Sequence, residues 1–119
     1  TEATALTTEQ LDQLLVQWFD WRSEMLSFMN DYDVIISPVN AHPAVLHGAT
    51  NITESLAAFS YTMTYNSTGW PCAVVRAGTS SEGLPIGVQI ITRPGREDIA
   101  LAVAKFIETG LGGYQEPVL

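Results

Sequence analysis

Gly83-Leu84-Pro85-Ile86-Gly87-Val88-Gln89-Ile90-Ile91 is the stretch whose reading decides the fold. Gly83 and Pro85 set a turn, and the β-branched run behind them has the composition of a central strand. Gly87, inside that run, permits close approach of a neighbouring backbone. Upstream, Cys72-Ala73-Val74-Val75-Arg76 reads as a second strand. Gly78-Thr79-Ser80-Ser81-Glu82-Gly83 between them is turn chemistry, so the two strands are expected to pair as neighbours.

Further out, Gly69 and Pro71 end one element and launch the strand at Cys72, and Asn66 is expected to brace that turn through side chain to backbone hydrogen bonds. Before it, Thr53 reads as the cap of a helix running through Leu56, Ala57 and Phe59 towards Thr64, with Glu54 at the positive end of its dipole. Residues 38–52 hold Pro38, Asn40, Pro43, Gly48 and Asn51 and form a long ordered loop, of a length that serves a site or an interface. Val34-Ile35-Ile36-Ser37 lacks polar alternation, which predicts a strand buried on both faces, as in a parallel sheet between helix layers.

At the start of the chain, residues 1–7 are expected to be a tail or linker and residues 8–119 the folded body. Thr7-Thr8-Glu9-Gln10 reads as a capping box. Behind it Leu11, Leu14, Leu15, Trp18, Met25, Leu26 and Met29 share one helical face, with Arg22 packing its stem on Trp18, over about residues 8–30. At the other end Gly95 and Glu97-Asp98 open a last helix, whose face is Ile99, Ala102, Val103, Phe106 and Ile107 and which Gly110 closes. The order is helix, strand, helix, strand, strand, helix. That is the α/β class, with too few strands to complete a sheet by itself.

Composition narrows the functions. The 119 residues suffice for one small domain hiding about 65% of its unfolded surface. Apolar residues make up 46% and charged ones only 15%, so part of the surface is expected to lie against more protein. The net charge of -8 and the lack of any Lys/Arg cluster argue against nucleic acid and anionic membranes as partners. No apolar run is long enough to span a bilayer. The start at Thr1, without Met, reads as the middle of a longer chain or a trimmed one. Cys72 is the only cysteine, so an internal disulfide is excluded and a reduced, cytoplasmic setting is favoured. The two sequons, at Asn51 and Asn66, leave secretion unsupported.

From residue 33 onward the chain resembles the C-terminal part of the amidase-signature family. Asp33-Val34-Ile35-Ile36-Ser37-Pro38 is similar to that family's D-x-φ-φ-x-P strand, φ being apolar. Asn66-Ser67-Thr68-Gly69-Trp70-Pro71-Cys72-Ala73 is similar to its N-x-x-G-x-P-[AC]-[AIV] element, and Gly83 to Ile91 to its G-[LR]-P-[IV]-G-[LV]-Q-[IL]-[IV]. The resemblance implies a mixed β-sheet sandwiched by helices, of which this chain holds the C-terminal part. It also implies amide hydrolysis without metal or cofactor, by a Ser nucleophile, a second Ser with a cis peptide bond, and a Lys base, beside an oxyanion hole. Neither the Gly/Ser-rich signature nor the Lys strand is in this sequence, so the chain alone is expected to be inactive. Its partners are then the N-terminal catalytic part of the same amidase and a small-molecule amide. The resemblance further implies that the segment before Asn66 lines the acyl side of the cleft. Phe59, Tyr61, Tyr65 and Trp70 are the candidate wall, and Phe59 and Ser60, where glutamine-using relatives carry an acid, favour an apolar or aromatic amide.

Blander readings absorb the remaining motifs. The Ser80-Ser81 loop echoes a nucleophile loop but sits where a hairpin turn wants such residues, and the sole lysine, Lys105, lies on the outer side of the last helix. His42 and His47 have no third ligand at a metal-binding spacing. Cys72 has no basic neighbour to activate it and reads as a small core residue. Asp31/Asp33 and Glu97/Asp98 read as cap and turn residues rather than an acid/base pair. The rival reading of the chain is a non-catalytic α/β module that folds alone and binds a partner, or a second copy, through its apolar face.

Overall fold

The capping box at Thr7 opens the first element. The Gln10 N–H donates to Thr7 Oγ1 at 3.2 Å, and the Thr7 N–H donates to Gln10 Oε1 at 2.9 Å. Two of the helix's orphan donors are thereby satisfied reciprocally. The computed structural model describes residues 5–51 and 57–116. Within them the chain divides into two units, Thr1–Tyr32 and Asp33–Leu119.

The first unit is built on one helix, α1 (Thr8–Phe28). The Arg22 guanidinium carbon stands 4.7 Å from the centroid of the Trp18 ring, so the expected stem packing becomes a cation–π contact. None of the helix's residues is buried, and Leu11, Leu14 and Leu15 of its apolar stripe stay exposed. The helix stops two residues short of the expected end, where Met29 caps it.

The second unit is a three-stranded sheet with helices. Its elements are β1 (Ile35–Pro38), a 3-10 turn (Ala49–Asn51), α2 (Ser60–Thr68), β2 (Cys72–Thr79), β3 (Pro85–Ile91) and α3 (Glu97–Gly110). The sheet order is β1-β3-β2, and both pairings are antiparallel. The Gly83 to Ile91 stretch is therefore the central strand, as its sequence predicts. β2 and β3 form a hairpin with a bulge between Arg76 and Gly78. At its tip Ser80 N–H donates to the Leu84 carbonyl at 2.8 Å, and Ser80 Oγ accepts from the Glu82 and Leu84 N–H groups. Ser80 is thus engaged in holding a turn.

Several local expectations change. Ala102 and Phe106 of the face expected for α3 are exposed, and Ala100 and Ala104 are buried beside Val103 and Ile107 instead. β1 alternates in burial instead of being covered on both faces, with Ile36 53% exposed. Among the described residues it is an edge strand, paired with β3 alone, and α3 packs over β2 and β3 instead. The helix expected to end near Thr64 continues to Thr68. Asn66 consequently lies exposed within α2 and does not brace the turn. The Tyr65 carbonyl takes that role, accepting from the N–H groups of Gly69 and Trp70 and from the Thr68 hydroxyl at 3.1 Å. Gly69 closes the helix with φ 71°, a left-handed conformation that a side chain would disfavour. The expected cap at Thr53, with Glu54, lies outside the described residues.

The core sits between the sheet and α3. Ile90, Ala100 and Ala104 are buried, with Val34, Ala73, Val75, Val88, Val103 and Ile107 packed around them. Ala100 and Ala104 are one turn apart, so two small side chains face the sheet and let the helix approach closely. Successive strand residues point to opposite faces. Val88 and Ile90 therefore face α3, while Gly87, Gln89 and Ile91 face the other side.

Candidate functional site

On that other side the sheet floors a groove of about 630 Å³. Val74 of β2 and Gly87 of β3 form its floor. A Cβ on Gly87 would stand 3.4 Å from side-chain carbons of both Val39 and Val74, so the bare glycine keeps the floor low. One wall is the loop that leaves β1 at Pro38, and it presents Val39, Pro43 and Val45. The facing wall carries Phe59 and Tyr61 from the start of α2. The lining is mostly hydrocarbon, with polar side-chain groups on Asn40, His42 and Tyr61. Asn40 Oδ1 accepts from the His42 N–H at 3.2 Å, which fixes the bend of the loop.

The four aromatic residues singled out in the sequence separate into two pairs. Phe59 and Tyr61 line the groove. Tyr65 and Trp70 pack on each other, ring centroids 6.5 Å apart, and Trp70 is buried. Burial raises the Tyr65 hydroxyl above its usual pKa, and the nearby Cys72 adds to the rise, so this phenol keeps its proton at neutral pH. Cys72, expected to be a small core residue, is instead exposed at the start of β2, and its partial desolvation pushes the thiol up, against a smaller opposing hydrogen bond from the Ile90 backbone.

Sequence reasoning passed over Gln89 as a site residue. It is 2% exposed in an otherwise apolar strand, and its Nε2 donates to Ser37 Oγ, the Pro38 carbonyl and the Tyr61 carbonyl. A polar residue inside a run of β-branched ones was the available signal. His47 is exposed in the turn that follows the loop. Lys105, the only lysine in the chain, is exposed on α3, the helix packed on the opposite face of the sheet from the groove. Among the described residues no helix is long and apolar enough to cross a membrane.

A family model described as Amidase matches residues 4–101. The chain belongs to the amidase family. An acylamidase of Rhodococcus erythropolis is 35% identical over 100 residues, which is 76% of this chain and 20% of that protein. Fatty-acid amide hydrolase 2-A of Danio rerio is 31% identical over 96 residues, 81% of this chain and 18% of that protein. The solved structure of 6-aminohexanoate cyclic dimer hydrolase complexed with substrate superposes with a TM-score of 0.75 at 26% identity, over 89% of this chain and 25% of that one. The chain thus spans 18–20% of the length of these two curated amidases, and its small antiparallel sheet with helices is a segment of the amidase α/β fold.

Proposed function

We propose that residues 8–119 are the C-terminal segment of an enzyme that hydrolyses a carboxylic amide to acid and amine, with residues 1–7 leading into it. The segment contributes strands and flanking helices to a larger mixed sheet and forms one side of the acyl cleft. The nucleophilic Ser, its partner Ser and the Lys base belong to the N-terminal catalytic part, so this chain alone does not turn over amides. The observation that carries the reading is the groove of an amidase-family chain, walled by Val39, Phe59 and Tyr61, while the sole lysine sits on the helix across the sheet. No Ser of the groove has a Lys beside it to act as base. An apolar wall of this size fits the acyl side of an apolar or aromatic amide, a reading supported by the names of the acylamidase and fatty-acid amide hydrolase relatives. The parent works in the cytoplasm, where a lone thiol such as Cys72 stays reduced.

The test compares two preparations. The 119 residues alone should release no amine from acyl anilides. Mixed with or joined to a segment carrying the Ser/Ser/Lys set, they should complete an active enzyme. Turnover by the lone chain, abolished by replacing one of its own serines, would sink the proposal. A cleanly folded, inert monomer that fails to complement such a segment would favour the binding-module reading.

A further inference from the structure

Gln89 links the two walls of the groove. Its Nε2 lies 2.9 Å from the Pro38 carbonyl, 2.9 Å from the Tyr61 carbonyl and 3.0 Å from Ser37 Oγ. These neighbours settle which end of the amide is which. A flipped side chain would aim its oxygen at two carbonyl oxygens, neither able to donate. Oε1 instead faces Cys72, whose thiol donates at 3.5 Å. Pro38 begins the loop that forms one wall, and Tyr61 stands in the first turn of α2, beside Phe59 on the other. One buried side chain, beside the floor residue Val74 in the sheet, thereby holds both walls. The Ala41 N–H, donating to the Ala58 carbonyl at 3.3 Å, is a second and longer link between them.

The neighbouring floor residues explain why an amide is used. Gly87 and Val74 carry no polar side-chain group, and an apolar side chain at position 89 would leave two carbonyls without this donor. A buried amide is tolerable only when its hydrogen bonds are made, and here both N–H protons are spent on wall atoms. We propose that Gln89 is a positioning residue that fixes the spacing of the groove walls and so sets the acyl-chain selectivity of the amidase. The coupling of the walls stands on the geometry above, while its effect on selectivity rests on the groove being the acyl site.

The test uses the complete polypeptide that carries these residues. Gln89→Met keeps much of the side-chain volume and removes both donors. Hydrogen–deuterium exchange should speed up together in segments 38–45 and 57–64, while 85–91 keeps its protection. The ratio of kcat/KM for dodecanoyl anilide to that for acetanilide should fall roughly three- to tenfold, the equivalent of about one net hydrogen bond. Ser37→Ala leaves two carbonyls for two protons, so both readouts should stay at the wild-type value. If Gln89→Met does not accumulate as folded protein, Gln89→Asn, which keeps the amide on a shorter stem, carries the same expectation. Faster exchange in only one wall, or unchanged selectivity in a folded variant, overturns the proposal. A wild-type polypeptide that hydrolyses no amide would refute the functional reading instead, and the exchange pattern would still decide whether Gln89 couples the walls.

Discussion

Replacing Phe59 by Asp separates a role in substrate contact from a role in stability. Phe59 precedes α2 at its N-cap position, where its side chain makes no capping bond, and it is 36% exposed on the groove. A phenylalanine presents about 200 Å² in all, so about 70 Å² remains for an acyl chain to cover. At about 25 cal/mol per Å² that is worth about 1.8 kcal/mol, or about twentyfold in kcat/KM for a long apolar acyl group. A carboxylate at this position removes the contact and sits in the path of hydrocarbon. The same carboxylate lies at the positive end of α2, where it is favourable by about 0.3–1 kcal/mol. About 130 Å² of Phe59 is already covered by protein, worth about 3 kcal/mol at the same coefficient, so the complete enzyme carrying Phe59→Asp should still fold but melt below the wild type. Its preference for dodecanoyl anilide over acetanilide should nevertheless drop by about twentyfold or more. Steady-state kinetics on both anilides, with a thermal melt of each preparation, reads both effects. An unchanged preference in a folded variant would remove Phe59 from the substrate path and with it the acyl-wall reading.

Ile90→Ala takes a fully buried side chain out of the α3-facing core and should cost about 2–5 kcal/mol, read from the midpoint of urea unfolding. The Asp98 carboxyl is held below its ordinary pKa chiefly by the hydrogen bond from Arg96, at 3.1 Å. A folded pKa below the unfolded one means that the pair's stabilisation is present above the unfolded value and lost as pH falls through the folded value. Asp98→Asn should accordingly flatten the acid side of the stability profile below about pH 4, by a small amount that added salt reduces, in melts at neutral and acid pH. Because partial desolvation raises the exposed Cys72 thiol above its ordinary value, iodoacetamide should alkylate it more slowly at pH 8 than it does free cysteine, and a faster reaction would contradict the surroundings of this thiol. Exposed Leu14, Phe106 (81%) and Leu101 leave the lone chain with uncovered hydrocarbon. It should self-associate in light scattering, and a clean monomer over a wide concentration range would count against that.

The sequence by itself determined the elements and the central strand. Periodicity, capping residues and turn residues are local signals, and they placed the Thr7 box, the β2–β3 hairpin and the last helix within about three residues. Its motifs also carried the family. It could not decide what covers each face, because that depends on elements far apart in the chain. An apolar run such as Val34 to Ile36 reads the same whether a helix lies over it or it forms an uncovered edge. Nor could Asn66 or the four aromatic residues be sorted into helix, core and groove before the end of α2 was known. The contacts of Gln89 were decided by tertiary structure alone, since Pro38 and Tyr61 lie 51 and 28 residues away and meet its amide only when β1 and α2 converge on β3.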